Sequence, residues 1–313
     1  MKKIAAFQID PIESLNFESD TTLLIANEFQ VRGYKLFYFS PSDLSFYNNK
    51  VYAKGYYFTL YYENNKCKLE SDNIEICLED VAVIFIRQIP PFNNQYLTTT
   101  YLIEQLINPI VVNSPKSIRE ISEKFSILKF PHLIPETIIT ADKRVGEEFL
   151  SKKMDCVVKP LYECGGKNVI KISASNKASI KKMHELFKLY EYLMIQEYLP
   201  SVKVSGDKRV LFLDGEIIGA ISRKSEKGSF LTNMVVGGIP GKTILTNKEL
   251  ELSREVGEYL KAHKVFLSGI DLIDEKLIEI NVTSPTGFTT FKRLNSIDVE
   301  KLIVDSIENK LKD

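Results

Sequence analysis

Apolar residues along the chain fall into short runs, and their spacing changes from one third of the chain to the next. Residues 4–9 form an apolar run interrupted at Gln8 and stopped by Asp10-Pro11, which predicts a buried strand. Asp20 stands as a helix N-cap ahead of Ile25, Ala26 and Phe29, which share one helical face, and Gly33 ends that helix. Residues 35–39 begin the next strand. Strand, helix and strand make a βαβ unit, so a parallel sheet is expected. The tyrosine-rich polar run 45–73 predicts short hairpins or an insertion. Residues 81–86 are almost uniformly apolar, as in a strand covered on both faces. That strand ends at Arg87, and Pro90-Pro91-Phe92 then forces an extended exit. Ligands in open α/β sheets sit beyond strand ends, so Arg87 is either a ligand contact or an ordinary surface arginine.

The pattern changes after residue 112. Pro115, Pro131 and Pro135 punctuate residues 113–136, around a predicted helix at 116–129 that carries Lys124. A domain boundary is placed near residue 120. Beyond it, apolar alternation predicts hairpins: 156–159 with 169–172, and 210–213 with 217–221 around Asp214-Gly215. A helix over 248–263 precedes one last hairpin.

Composition removes several classes of function. The chain has 313 residues, enough for about two domains by length alone. Its 41 Lys and Arg balance its 41 Asp and Glu, which disfavours a non-specific nucleic-acid or anionic-membrane binder and points to a small-molecule partner. No stretch approaches the length of a transmembrane helix, and residues 4–9 are too few for a signal peptide. Cys67, Cys77, Cys156 and Cys164 show no C-x-x-C spacing, and His132, His184 and His263 are scattered. Structural zinc, dithiol redox chemistry and a histidine triad are poorly supported, and a reducing, cytoplasmic location is expected.

The last hairpin carries the most chemistry. Residues 269–281 read GIDLIDEKLIEIN, and a turn centred on Glu275 sets Ile273 opposite Leu277 and Asp271 opposite Glu279. Asp271, Glu279 and Asn281 then share one face, while Ile270, Leu272, Ile278 and Ile280 fill the core. Three oxygen-bearing side chains suit a hard divalent cation such as Mg²⁺ or Mn²⁺, completed by water and phosphate. A solvated sheet face with ordinary acidic residues is the competing reading.

A second element is Lys159 followed by a turn containing Gly165 and Gly166 and a returning strand. Glycines let backbone N–H groups approach phosphate, and the lysine adds charge; taken alone, the two glycines are better explained by a plain tight turn. Lys208, Arg209 and Arg223 flank the Asp-Gly hairpin, and with Lys124 and Lys159 they can neutralise a polyphosphate. Residues 224–233 are polar and contain Gly228, forming either a lid or a plain loop.

Together these residues resemble bacterial glutathione synthetase, of the ATP-grasp superfamily, over nearly the whole chain. The resemblance rests on Asp10-Pro11-Ile12, Ile86-Arg87 with Pro90-Pro91-Phe92, Asn113-Ser114-Pro115 with Ser117-Ile118-Arg119, and Glu123-Lys124-Phe125. It continues through Pro135-Glu136-Thr137, Lys159-Pro160-Leu161, Gly165-Gly166, Gly206-Asp207-Lys208-Arg209-Val210 and Glu279-Ile280-Asn281-Val282-Thr283-Ser284-Pro285-Thr286.

The resemblance implies an α/β ATP-grasp fold: an N-terminal parallel α/β domain over 1–120, a lid subdomain over 121–198, and a C-terminal subdomain over 199–313 with the metal hairpin. Nucleotide is held between the last two. It implies that Lys124, Lys159, Gly165 and Gly166 hold ATP phosphates, that Gln196, Glu197, Tyr198 and Leu199 read adenine, and that Asp207 lies near the ribose. Asp271, Glu279 and Asn281 fall on the metal ligands, Arg209 and Arg223 on catalytic arginines, and Arg87, Ser284 and Thr286 on substrate contacts. The activity implied is ATP- and Mg²⁺-dependent joining of γ-glutamylcysteine to glycine by a homo-oligomer.

Three places depart from the family pattern. The lid turn usually reads Asp-Gly-x-Gly-Gly, and here it is Tyr162-Glu163-Cys164-Gly165-Gly166. Leu231 and Ile239 stand where the family carries arginines. These changes open a second reading, an ATP-grasp ligase with another acceptor or donor. A third, a non-catalytic ATP-binding regulator, leaves the retained Asp271, Glu279, Asn281 and Arg209 without a purpose.

Overall fold

The computed structural model describes residues 3–225, 230–234 and 237–312. Strand β1 (Ile4–Gln8), helix α1 (Thr21–Val31) and strand β2 (Lys35–Phe39) form the expected βαβ unit, with β1 and β2 parallel. Asp20 caps α1: its carboxylate accepts from the backbone N–H of Thr22 at 2.6 Å and of Leu23 at 3.0 Å. The tyrosine-rich run folds as β3 (Leu44–Tyr47), β4 (Lys50–Tyr61), β5 (Lys66–Leu69) and β6 (Ile74–Cys77), which join the sheet through β4 on β2. Strand β7 (Val83–Ile86) pairs with the other edge of β1, and helix α2 (Asn94–Ile103) leads to β8 (Ile110–Val112). The order is β3-β4-β2-β1-β7-β8. The winding direction reverses at β1, the point in open α/β sheets beyond which ligands sit, and Arg87 follows β7 there as a buried side chain.

Helix α3 (Pro115–Glu120) is much shorter than the helix expected over 116–129. Ile121 leaves helical geometry, and the carbonyl of Glu123 accepts from the backbone N–H of Ile280 at 3.0 Å. That carbonyl would otherwise close a helical turn, so the cross-link to a distant strand breaks the helix. Lys124 therefore lies in a turn, ahead of a short 3-10 segment at Ser126–Lys129.

The second sheet comprises β9 (Thr137–Thr140), β10 (Asp155–Pro160), β11 (Ile170–Ser173) and β12 (Leu193–Glu197), in the order β11-β10-β12-β9. Helices α4 (Lys143–Lys153) and α5 (Lys177–Leu189) cover its outer face. After the short α6 (Val202–Ser205) comes a third sheet, of β13 (Asp207–Leu213), β14 (Glu216–Lys224), β15 (Ile239–Lys242), β16 (Leu267–Ile273) and β17 (Lys276–Asn281). Its order is β15-β14-β13-β16-β17. The Asp214-Gly215 turn has φ of 53° and 81°, the left-handed pair that a two-residue hairpin requires.

Helix α7 (Asn247–Ala262) packs on the third sheet through Leu252, Val256 and Leu260. Helices α8 (Phe288–Asn295) and α9 (Val299–Lys310) return to α1. Their Phe288, Ile303 and Ile307 share a core with Phe29 of α1, Phe7 and Phe85 of the first sheet, and Leu211 and Ile221 of the third. Each such side chain contributes roughly 1.5–3 kcal/mol on burial, so this core fixes the first and third sheets against each other. No helix among the described residues is long and apolar enough to cross a membrane.

Candidate active site

A cleft of about 880 Å³ lies between the second and third sheets. One wall is Lys159 of β10 with the turn of Glu163, Cys164, Gly165 and Gly166; the back is Gln196, Glu197, Tyr198 and Leu199. The opposite wall carries Asp207, Arg223, Asp271 and Glu279, and Phe230, Leu231, Thr232 and Asn233 form a cover. Lys124 enters from the turn that the broken helix leaves. The chain thus brings most of the sequence-predicted residues to one volume.

Pairing of β16 with β17 sets Asp271 opposite Glu279, as the pattern requires, but by a different route. The turn is tighter than expected: Ile273 pairs with Lys276 and Leu272 with Leu277. A bulge beside Asp271 then restores the register, leaving Ile278 as an extra residue. Leu277 therefore fills the core position expected of Ile278, and Ile278 lines the cleft beside Glu279. Asn281 donates its amide N–H to Asp271 Oδ2 at 3.4 Å, completing the patch. Two carboxylates and an amide oxygen form a hard donor set that suits Mg²⁺ together with water and phosphate. Among the described residues there is no cluster of three His, Cys, Asp or Glu, which separates this patch from an all-protein metal cage.

Arg209 and Arg223 stand behind that patch. Arg209 donates from Nε and Nη2 to the two oxygens of Asp271, each at 2.8 Å, and from Nη1 to Thr286 Oγ1 at 3.2 Å. Arg223 donates to Asp207 at 2.8 and 2.5 Å and lies 2.9 Å from Asp271. Burial by itself would raise the Asp271 carboxyl, but the two guanidiniums overcome it and hold the group well below the usual carboxylate range. Asp207, assigned by resemblance to the ribose, has both oxygens turned toward Arg223. Strand alternation splits the neighbouring cations: Lys208 points away, donating to Glu249 at 2.6 Å.

The lysines face that acidic wall. Lys124 lies 3.2 Å from Glu279 and donates to the Glu163 carbonyl at 2.6 Å, tying the glycine turn to the opposite wall. Burial disfavours its charge, yet Glu279 and Glu123 outweigh burial and raise its pKa. Lys159 is lowered to about 8 by burial, and its Nζ donates to Gln196 Oε1 at 2.8 Å. Gly165 and Gly166 adopt φ of 64° and 80°, which favours glycine, and the Leu231 methyl groups sit 3.8 Å from where a Gly166 Cβ would be. Phe230 meets Tyr198 edge-on at 6.5 Å. Ile239 is 60% exposed and lies off the cleft wall, and Gly228 falls outside the described residues.

Arg87, Ser284 and Thr286 do not line this cleft. They form a polar track from Arg209 toward the first sheet: Thr286 on Arg209, Ser284 Oγ on the Arg87 carbonyl at 3.2 Å, and Arg87 Nε on Thr22 Oγ1 at 3.1 Å. Sequence reasoning missed Glu123, Thr137 and Phe230. Glu123 is raised to about 7, chiefly by burial and then by Glu279, and accepts from Thr283 Oγ1 at 2.7 Å. Its place beside Lys124 was the available signal. Phe230, in a polar segment, carried none.

Two facing sheets that hold a cleft, with Lys124 and Lys159 on one side and paired carboxylates on the other, define an ATP-grasp ligase, a class that uses ATP and Mg²⁺. Solved structures agree on the fold. D-alanyl-alanine synthetase A from Vibrio cholerae superposes with a TM-score of 0.66 at 16% identity, covering 100% of each chain. An ATP-grasp ligase solved with Mg, ADP and a phosphomimetic variant of its minimal precursor gives 0.64 at 15% identity over 99% of each chain.

Family models narrow the class: the N-terminal domain of prokaryotic glutathione synthetase matches residues 3–119 and its ATP-grasp domain residues 123–296. The chain is similar to glutathione synthetase of Agrobacterium fabrum, at 37% identity over 98% of this chain and 97% of that one. It is 33% identical to the Salmonella typhimurium enzyme, with 97% of each covered. The chain belongs to the prokaryotic glutathione synthetase family.

Proposed function

We propose that the chain performs ATP- and Mg²⁺-dependent ligation of γ-glutamylcysteine with glycine, yielding glutathione, ADP and phosphate. The observation that carries this reading is the opposition of Lys124 and Lys159 to Asp271 and Glu279 across one cleft. Gln196, Glu197, Tyr198 and Leu199 supply the adenine end, and Asp207 lies on the ribose side. Lys124, Lys159 and the open backbone at Gly165 and Gly166 hold the phosphates. Asp271, Glu279 and Asn281 would hold Mg²⁺, or Mn²⁺, which when bound neutralises phosphate charge. The cysteinyl carboxylate of the donor attacks the γ-phosphorus and ADP leaves, giving an acyl phosphate. The amine of glycine then attacks the activated carbonyl and phosphate departs. Arg209, buried beside Thr286 and fixed by Asp271, is preorganised to stabilise the oxyanion of that step, while Arg223 holds Asp207 and Asp271 in place. Arg87, Ser284 and Thr286 receive the donor along the track toward the first sheet.

A cytoplasmic location and self-association into a homo-oligomer belong to the same reading, the latter checked by sedimentation equilibrium. Purified protein should release ADP only with ATP, Mg²⁺, γ-glutamylcysteine and glycine all present. Leu231 against Gly166 favours one competing version, with an acceptor other than glycine, because an apolar contact stands where the family places a cation. A panel of amino-acid acceptors decides it: faster ADP release with another acceptor rejects glycine.

A further inference from the structure

Three polar side chains line up on one face of the second sheet. Gln196 of β12 pairs directly with Thr137 of β9 on one side and with Val157 of β10 on the other. Lys159 lies two residues beyond Val157, so it points to the same face. Their hydrogen bonds form a chain. Lys159 Nζ donates to Gln196 Oε1 at 2.8 Å, Gln196 Nε2 donates to Thr137 Oγ1 at 2.9 Å, and Thr137 Oγ1 donates to the Pro135 carbonyl at 2.7 Å.

The direction of this chain is forced. A threonine hydroxyl has one proton, and here it goes to the carbonyl of Pro135, so the oxygen can only accept from Gln196. The amide must therefore present its NH₂ to Thr137 and its oxygen to Lys159. Gln196 is 2% exposed, so water does not compete for either end. Charge completes the argument. Lys124 lies beside Glu279, and Arg223 beside Asp207 and Asp271, so each of these cations already has a carboxylate. Among the described residues, the hydrogen-bond partner of Lys159 Nζ is a neutral amide.

We infer that Gln196, oriented by Thr137, is a positioning residue that aims Lys159 into the cleft while leaving it without a hydrogen-bonded carboxylate that phosphate would have to displace. This rests on the phosphate-holding role of Lys159 proposed above. A carboxylate at position 196 would have nearly the same shape, yet nucleotide would have to displace it from the lysine.

The experiment measures ADP affinity by calorimetry, and KM for each substrate, in Gln196→Glu, Thr137→Val and Thr137→Ser. Gln196→Glu should weaken ADP binding and raise KM for ATP about tenfold or more, with KM for γ-glutamylcysteine and glycine and the melting temperature held near the parent values. Thr137→Val should weaken ADP binding several-fold by freeing the amide to turn, and Thr137→Ser should restore it. Gln196→Glu with parent-like ADP affinity, or with all three KM values raised alike, overturns the inference. Lys159→Ala is the separate control: unchanged ADP affinity there removes the phosphate role of the lysine itself.

Discussion

Arg209 and Asp271 meet end to end, two N–H groups to two oxygens at 2.8 Å, with both side chains buried. Arg223 adds a contact at 2.9 Å to the same carboxylate. Asp271 is therefore the counter-charge of two buried guanidiniums as well as a candidate metal ligand. Asp271→Asn should cost about 3–5 kcal/mol in urea unfolding, because it leaves the buried Arg209 without a carboxylate and Arg223 with Asp207 alone. Glu279→Gln should differ. Glu279 is 25% exposed, among the described residues its ion pair is with Lys124, and Glu123 remains to balance that lysine. Stability should change by about 1 kcal/mol or less, while turnover falls about a hundredfold or more. An Asp271→Asn protein as stable as its parent contradicts this division.

Lys159 supplies a pH dependence. Burial brings its pKa down to about 8, with Glu279 offsetting only part of the loss. Free protein keeps the cation below that pH and loses it above, so ADP affinity should be flat below about pH 8 and fall roughly tenfold per pH unit above it. Lys159→Arg keeps its charge throughout and should remove the break. Calorimetric titration at half-unit pH steps reads both, and a parent profile flat to about pH 9.5 counts against the assignment.

Gly238 controls the cover. Its N–H donates to the Asn233 carbonyl at 3.0 Å, and an added Cβ would stand 1.8 Å from the Thr232 carbonyl oxygen. Gly238→Ala must displace residues 230–234, moving Phe230 off Tyr198 and Leu231 off Gly166. KM for ATP should rise about tenfold, equivalent to roughly 1.4 kcal/mol of lost binding. ADP release should also exceed glutathione formed, as water reaches the acyl phosphate. The ratio of the two products is the measurement, and a ratio of one in the variant rejects the role.

The residues legible in advance were those whose signal is local. Asp20 announced its cap, Asp214-Gly215 its hairpin, and the alternation of 269–281 put Asp271 across from Glu279. The helix over 116–129 failed because the carbonyl of Glu123 is claimed by Ile280, more than 150 residues away, and no local pattern encodes that bond. Ile278 and Leu277 exchanged places because a tight turn and a bulge each shift alternation by one, and only their sum leaves Asp271 and Glu279 paired. Thr137 and Gln196 were obscured for a similar reason. Their partnership is a cross-strand register, fixed only once β9 lies beside β12.

Glu123 makes the last prediction, on stability. Burial, and then the charge of Glu279, raise its carboxyl from 4.5 to about 7, against the opposing pull of Lys124 and the Thr283 hydroxyl. The folded protein thus binds this proton more tightly than the unfolded chain does. The stabilising contribution is complete below about pH 4.5, shrinks as pH rises, and is gone above about pH 7, where a buried charge remains. Glu123→Gln retains an oxygen for the Thr283 hydroxyl and cannot ionise. In nucleotide-free protein it should flatten the fall in stability between pH 5 and 7 and leave the variant on the order of 2 kcal/mol more stable than the parent at pH 8. Urea unfolding at about pH 5 and pH 8 supplies the comparison. If parent and variant lose stability equally over that interval, the proton belongs to another group.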